Sequence, residues 1–117
     1  MNEIRKVVST LWYDKDNYHT LRNVFPNAEF IYVDFYDKEK LEKEAKDADV
    51  ALVLGDVPDC LLGENSLKWI ACDHAGLNGS ARPEVFAKNI FVTGAAGRSA
   101  PVLAEHCIYF MLQSCYH

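Results

Sequence analysis

Short apolar runs rich in β-branched residues recur along this chain with charged, amphipathic stretches between them, and that alternation restricts the fold more than any other feature. The runs are Ile4 to Leu11, Phe30 to Val33, Val50 to Leu54, Leu67 to Cys72 and Ile90 to Thr93. Each is short and apolar on both faces, the pattern of a strand buried on both sides. Asn17 to Phe25, Lys38 to Lys46 and Arg82 to Lys88 carry apolar residues at helical spacing, with Pro83 where a first helical turn tolerates it. Strand and helix in alternation predict an α/β fold with a parallel sheet and right-handed crossovers. The stretch Pro58 to Asn65 reads equally as one helical turn or a loop.

Length and charge narrow the function classes. At 117 residues the chain has the size of one domain. Its 12 Lys and Arg against 17 Asp and Glu give a formal charge of -5 and leave no basic face for a phosphate backbone, so nucleic acid is not an expected partner. No run approaches the length of a membrane span, and no apolar segment with a cleavage site opens the chain, so a cytoplasmic protein is expected. Cys60, Cys72, Cys107 and Cys115 form no CxxC pair and read as buried reduced thiols. Cys107 and Cys115 do not complete a metal set with His106 and His117.

The last segment, APVLAEHCIYFMLQSCY from Ala100 to Tyr116, predicts one helix, with Ser99 as N-cap and Pro101 in the first turn. Val102, Leu103, Cys107, Ile108, Phe110, Met111, Leu112 and Cys115 cover more than one of its faces. The sheet domain is expected to cover one side, and a further domain or a second copy of the chain the other.

In an open parallel sheet, ligands sit at the carboxyl ends of the strands. Here those ends carry Trp12 to Asp16, Gly55 to Pro58, Asp73 to Gly79 and Gly94 to Ser99. Glycines in the last two loops let backbone amides approach an anion such as a carboxylate. The stretch LKWIACDHAGLNGSARPEVFAKNIFVTGAAGRSAPVLAEHCIYFML, Leu67 to Leu112, resembles the D-2-hydroxyacid dehydrogenase family: a "SAGVD"-like loop, a helix, a strand ending like "VTN", then a "VAEH" helix. The resemblance implies a flavodoxin-like, doubly wound, five-stranded parallel sheet over residues 1–99 acting as the substrate-binding domain. Residues 100–117 would be an interdomain and dimerisation helix. It further implies that backbone amides of Ala75, Gly76 and Leu77 hold the carboxylate of a small 2-keto or 2-hydroxy acid. His74 is a candidate for a hydrogen bond to that substrate, Arg98 and Ser99 lie at the cleft edge, and Glu105 and His106 serve helix packing. Three positions depart from the family: His74 for a small residue, Asn78 for Asp and Gly94 for Asn.

The family uses NAD or NADP, and its catalytic Arg, Glu and His follow the "VAEH" helix. No two glycines here are separated by one residue, so there is no GxGxxG, and this chain is expected to lack both the cofactor site and the catalytic groups. It is therefore expected to be a catalytically inactive part of such an enzyme. A self-standing interaction module that dimerises through the last helix is the alternative. A receiver-type phosphoacceptor domain would gather Asp14, Asp16 and Asp56. It also needs a hydroxyl residue after the fourth strand and a Lys after the fifth, where this chain has His74-Ala75 and Gly94-Ala95.

Overall fold

A computed structural model describes residues 3–117. Five parallel strands, β1 (Lys6–Ser9), β2 (Glu29–Tyr32), β3 (Val50–Val53), β4 (Trp69–Cys72) and β5 (Phe91–Thr93), lie in the order β2-β1-β3-β4-β5. This is the flavodoxin-like, doubly wound order, with the switch point between β1 and β3. Helices α1 (Lys15–Val24), α2 (Lys38–Ala45) and α3 (Pro83–Phe86) follow β1, β2 and β4, and α4 (Ala100–Tyr116) follows β5. The open stretch after β3 is a 3-10 turn, Asp59–Leu61, which buries Leu61 completely.

Local chemistry sets the boundaries. Helix α1 starts ahead of its first apolar position because Asp14 Oδ1 accepts from the Asn17 amide at 2.8 Å, and Pro26 follows its C-cap. Asp37 caps α2 in the same way through the Lys40 amide. Helix α3 is shorter than the Arg82 to Lys88 pattern, since the chain turns at Asn89, whose φ is 52°. The ladder between β1 and β3 extends past both strands, where the Thr10 amide donates to Leu52 O at 2.8 Å.

The two faces of the sheet are unequally covered. On one, Val8, Ala51, Val53, Ile70 and Cys72 pack under Leu41 and Ala45 of α2, Leu61 of the 3-10 turn and Val85 of α3. On the other, Val7, Val50 and Leu52 lie under α1, which reaches them through the half-buried Leu21 and Phe25 and buries no residue of its own. Phe25 extends as far as Trp69 on β4, at 6.3 Å between ring centroids. Beyond it Phe91, the register partner of Trp69 on the edge strand β5, is 80% exposed.

Helix α4 has the expected bounds and an unexpected setting. Every one of its residues is exposed, so the sheet domain does not cover one side of it. The radius of gyration, 17.3 Å, exceeds the roughly 13 Å of a compact chain of this length, because α4 projects from the body. The cysteine expectation needs the same correction. Cys72 is buried and Cys60 partly so, while Cys107 and Cys115 are exposed on α4. A mainly apolar helix normally implies burial, and here nothing among the described residues packs on it. No helix among the described residues is long and apolar enough to cross a membrane.

Candidate functional site

The carboxyl end of the sheet is built on a bonded scaffold. At the switch point, Thr10 Oγ1 accepts from the Leu54 amide at 2.9 Å and ties the end of β1 to the exit of β3. Gly55, with φ 76°, then turns the chain. Asp56 points across to the β4 exit, where its Oδ1 accepts from Ser80 Oγ at 2.7 Å, and the same hydroxyl accepts from the Val57 amide at 2.9 Å. Arg82 reinforces the join by donating to Val57 O, Gly79 O and the Asp59 carboxylate. The contact is so close that a Cβ on Gly79 would lie 2.7 Å from Asp56 Cγ, so a side chain there would have to displace the Asp56 carboxylate from Ser80.

On that scaffold the loop after β4 brings His74, Ala75, Gly76 and Leu77 together. His74 Nδ1 lies 2.7 Å from Gly76 O, which folds the loop over its own tip, and Ser80 N and Ala81 N donate to Leu77 O. Among the described residues, no protein group accepts from the successive amides of His74 to Gly79. His74, Ala75, Gly76, Asn78 and Gly79 are exposed and Leu77 is half-buried. The Leu77 side chain turns down against the core and lines a cavity of about 490 Å³ with Val85, Phe86, Ile90 and Val92. Its amide, and not its side chain, belongs to the loop surface.

The loop after β5 is fastened to the loop after β4. Ala95 N donates to His74 O at 2.8 Å, and Arg98 forms an ion pair with Asp73. Gly94 has a steric reason to be glycine: a Cβ would meet His74 O and Leu77 Cγ, each at 3.0 Å. Arg98 thus stands beside the loop with its charge answered by Asp73. Ser99 occupies the N-cap position of α4, but its hydroxyl makes no capping bond. Glu105 and His106 lie on the exposed α4, with the His106 ring edge-on to Phe110 at 5.2 Å.

Sequence reasoning placed Tyr13 and Asp73 at strand ends without giving either a role, and it missed the Asp56–Ser80–Arg82 join. Burial pushes the Tyr13 phenol above its ordinary 10.0, and the negative charge of Asp73 pushes it the same way. Burial likewise raises the Cys72 thiol, against the opposing hydrogen bond between it and Ser80. The carboxylates of a receiver do not converge: Asp14 caps α1, Asp56 is taken up by Ser80, and among the described residues no group of three or more ligand-type side chains is placed to hold a metal. A dinucleotide does not fit the switch point. No glycine lies between β1 and α1, and the Asp14 carboxylate already occupies the α1 N-terminus where a pyrophosphate would sit.

No protein-family model matches the chain, and no curated protein matches it. Among solved structures, it is similar to a phosphoglycerate oxidoreductase from Vibrio cholerae O395, with a TM-score of 0.56 and 18% identity over 93% of this chain. The match spans 36% of that larger protein. At this identity the likeness shows a shared fold.

Proposed function

We propose that residues 3–99 are the substrate-binding domain of an oxidoreductase acting on a D-2-hydroxy acid, with the loop from Asp73 to Gly79 holding the acid's carboxylate. The observation that carries this reading is the row of amides without protein acceptors, from His74 to Gly79, in a largely exposed loop. Successive N–H groups in a glycine-containing turn form a concave donor site for an anion, and bonds to a charged acceptor contribute about 1.5–3 kcal/mol each. The fold shared with an oxidoreductase and the resemblance of Leu67 to Leu112 to 2-hydroxyacid dehydrogenases support it.

In this reading the side chains act as positioners. Ser80, Asp56 and Arg82 fix the foot of the loop, and Gly94 lets the neighbouring loop close against it. His74 Nε2 is left to meet a substrate oxygen, since Nδ1 is engaged with Gly76 O. Asp73 holds Arg98 at the cleft edge, next to Ser99. NAD or NADP, the hydride carrier of such enzymes, does not fit the switch point between β1 and β3 and would be held by a separate domain. Helix α4, apolar and uncovered, is the surface through which the protein pairs with a second copy or meets that domain.

Amide-resolved NMR of the 117-residue protein titrated with pyruvate and with D-lactate tests the site. Shifts concentrated on His74 to Gly79, and much weaker with the corresponding amides, are expected. Shifts elsewhere, or none at millimolar ligand, would rule it out.

A further inference from the structure

Between α1 and the carboxyl ends of the strands beneath it the molecule leaves a cavity of about 280 Å³, near the roughly 300 Å³ at which ligand sites begin. Its floor is Tyr32, Ser9 and Leu52, register partners on β2, β1 and β3, and Tyr13, Tyr18 and Phe30 stand around them. Tyr18 and Phe30 meet edge to face at 5.6 Å, a corner with two aromatic sides. The Ser9 hydroxyl is taken up by Leu11, donating to its carbonyl and accepting from its amide, each at 3.1 Å. Interiors seldom leave such a space unfilled. Yet Trp12 and Tyr32 line it while 76% and 50% exposed.

The carboxylate loop starts one strand away, on the same face. Leu52 in the floor is the register partner of Ala71 on β4, and neighbouring strands lie about 4.8 Å apart. The ladder runs on to Asp73, whose amide donates to Val53 O at 2.8 Å, so alternation puts Asp73 on the α1 face with Ala71. Asp73 begins the loop, and its charge is paired with Arg98. The raised phenol of Tyr13, in the cavity wall, feels that same carboxylate. The larger cavity lies on the other face, among Val85, Ile90 and Val92.

We infer that this cavity takes the side chain of the acid whose carboxylate the loop holds, and that the side chain is an aromatic ring, as in phenyllactate or its keto counterpart. This rests on the reading of the loop above, and adds the class of substrate. Three C–C bonds of about 1.5 Å separate the carboxylate carbon of such an acid from its ring, a reach that matches the step from β4 to Leu52. The methyl group of lactate stops short of it. A ring completes the edge-to-face corner of Tyr18 and Phe30, and brings no polar atom to a floor whose hydroxyl is already satisfied. A phosphorylated or acidic side chain would find no cation. Among the described residues no Lys or Arg lines the cavity, and Arg22, over the Tyr18 ring at 5.4 Å, is not part of its wall.

Amide-resolved NMR of the 117-residue protein, titrated with D-phenyllactate beside D-lactate, tests the assignment. D-phenyllactate is expected to shift Leu11 to Tyr13 and Phe30 to Tyr32 together with His74 to Gly79. It should bind at least about tenfold tighter than D-lactate, the lower end of what burying a phenyl side chain contributes. Tyr32→Ala, at a half-exposed position, should keep the folded spectrum, lose much of that gain and leave D-lactate binding unchanged. D-phenyllactate binding no tighter than D-lactate, with the loop responding to both, would overturn the inference and leave the carboxylate site standing. Shifts at Val85 to Val92 in place of Leu11 to Tyr13 would put the ring in the other cavity and overturn it too. A response around the cavity with a silent loop would instead remove the carboxylate reading, and the inference with it.

Discussion

The two ends of the sheet are finished in opposite ways. At the amino end, Asp49 alone accepts from the Arg5 and Lys6 amides at 2.8 and 3.2 Å and from Lys68 Nζ at 2.5 Å. Lys6 Nζ in turn reaches Glu44 and Asp47, at 2.9 and 2.5 Å. At the carboxyl end the scaffold is equally well bonded at the foot, through Asp56, Ser80 and Arg82, but the tip leaves its amides without protein acceptors. Satisfied polar groups stabilise, while oriented and unsatisfied ones are available to a ligand. The difference is in keeping with the proposal that one end is structure and the other a place for binding.

The sharpest way to break this contrast is at the foot of the loop. Gly79→Ala is expected to destabilise by about 2–3 kcal/mol, since its Cβ would overlap the Asp56 carboxylate. Thermal melts should show much of that loss recovered in Gly79→Ala with Asp56→Ala. At the other end, Asp49→Ala should cost about 1–2 kcal/mol by leaving two amides and Lys68 without their acceptor, and pyruvate-induced shifts should persist. Urea midpoints measure the first effect. A lost ligand response would mean the two ends are not independent.

Acid sharpens the comparison further. Burial by itself would raise the Asp49 carboxyl, but the bonds from Lys68 and from the Arg5 and Lys6 amides outweigh it and hold it below its ordinary 3.8. A carboxyl lowered on folding stabilises the protein above the unfolded value, and that stabilisation is lost as pH falls through the folded one. Stability should therefore fall from about pH 4 downward, and Asp49→Asn should flatten that limb in pH-dependent melts. The smallest effect belongs to the tip. Gly76→Ala has no atom within 4 Å of its Cβ and should change stability by less than about 0.5 kcal/mol, with any loss confined to ligand affinity.

The fold was legible because short apolar runs such as Val50 to Val53 and Trp69 to Cys72 have few other uses, whereas the helix starts that Asp14 and Asp37 set by capping were not read from the sequence. The loop at His74 to Leu77 was legible as glycine at a strand end. The bond between Asp56 and Ser80 was not, since it joins residues far apart in the chain and neither pattern hints at the other. Gly79 and Gly94 looked like ordinary turn residues until the neighbours that require them were in place. The setting of α4 was also hidden. Val102 to Cys115 reads as a helix to be packed, and composition does not say that its own domain would leave it bare.

Strand β5 has a consequence for how copies of this protein can add to one another. It is an outer strand of three residues whose outward backbone groups have no partner strand, a short template for another chain to extend. Its apolar side chain Phe91 points from the face and not along the edge ladder. Growth by edge pairing would be open-ended and fibre-forming, whereas contact through faces related by a two-fold axis closes after two copies. The brevity of β5 thus favours finite assembly over polymerisation.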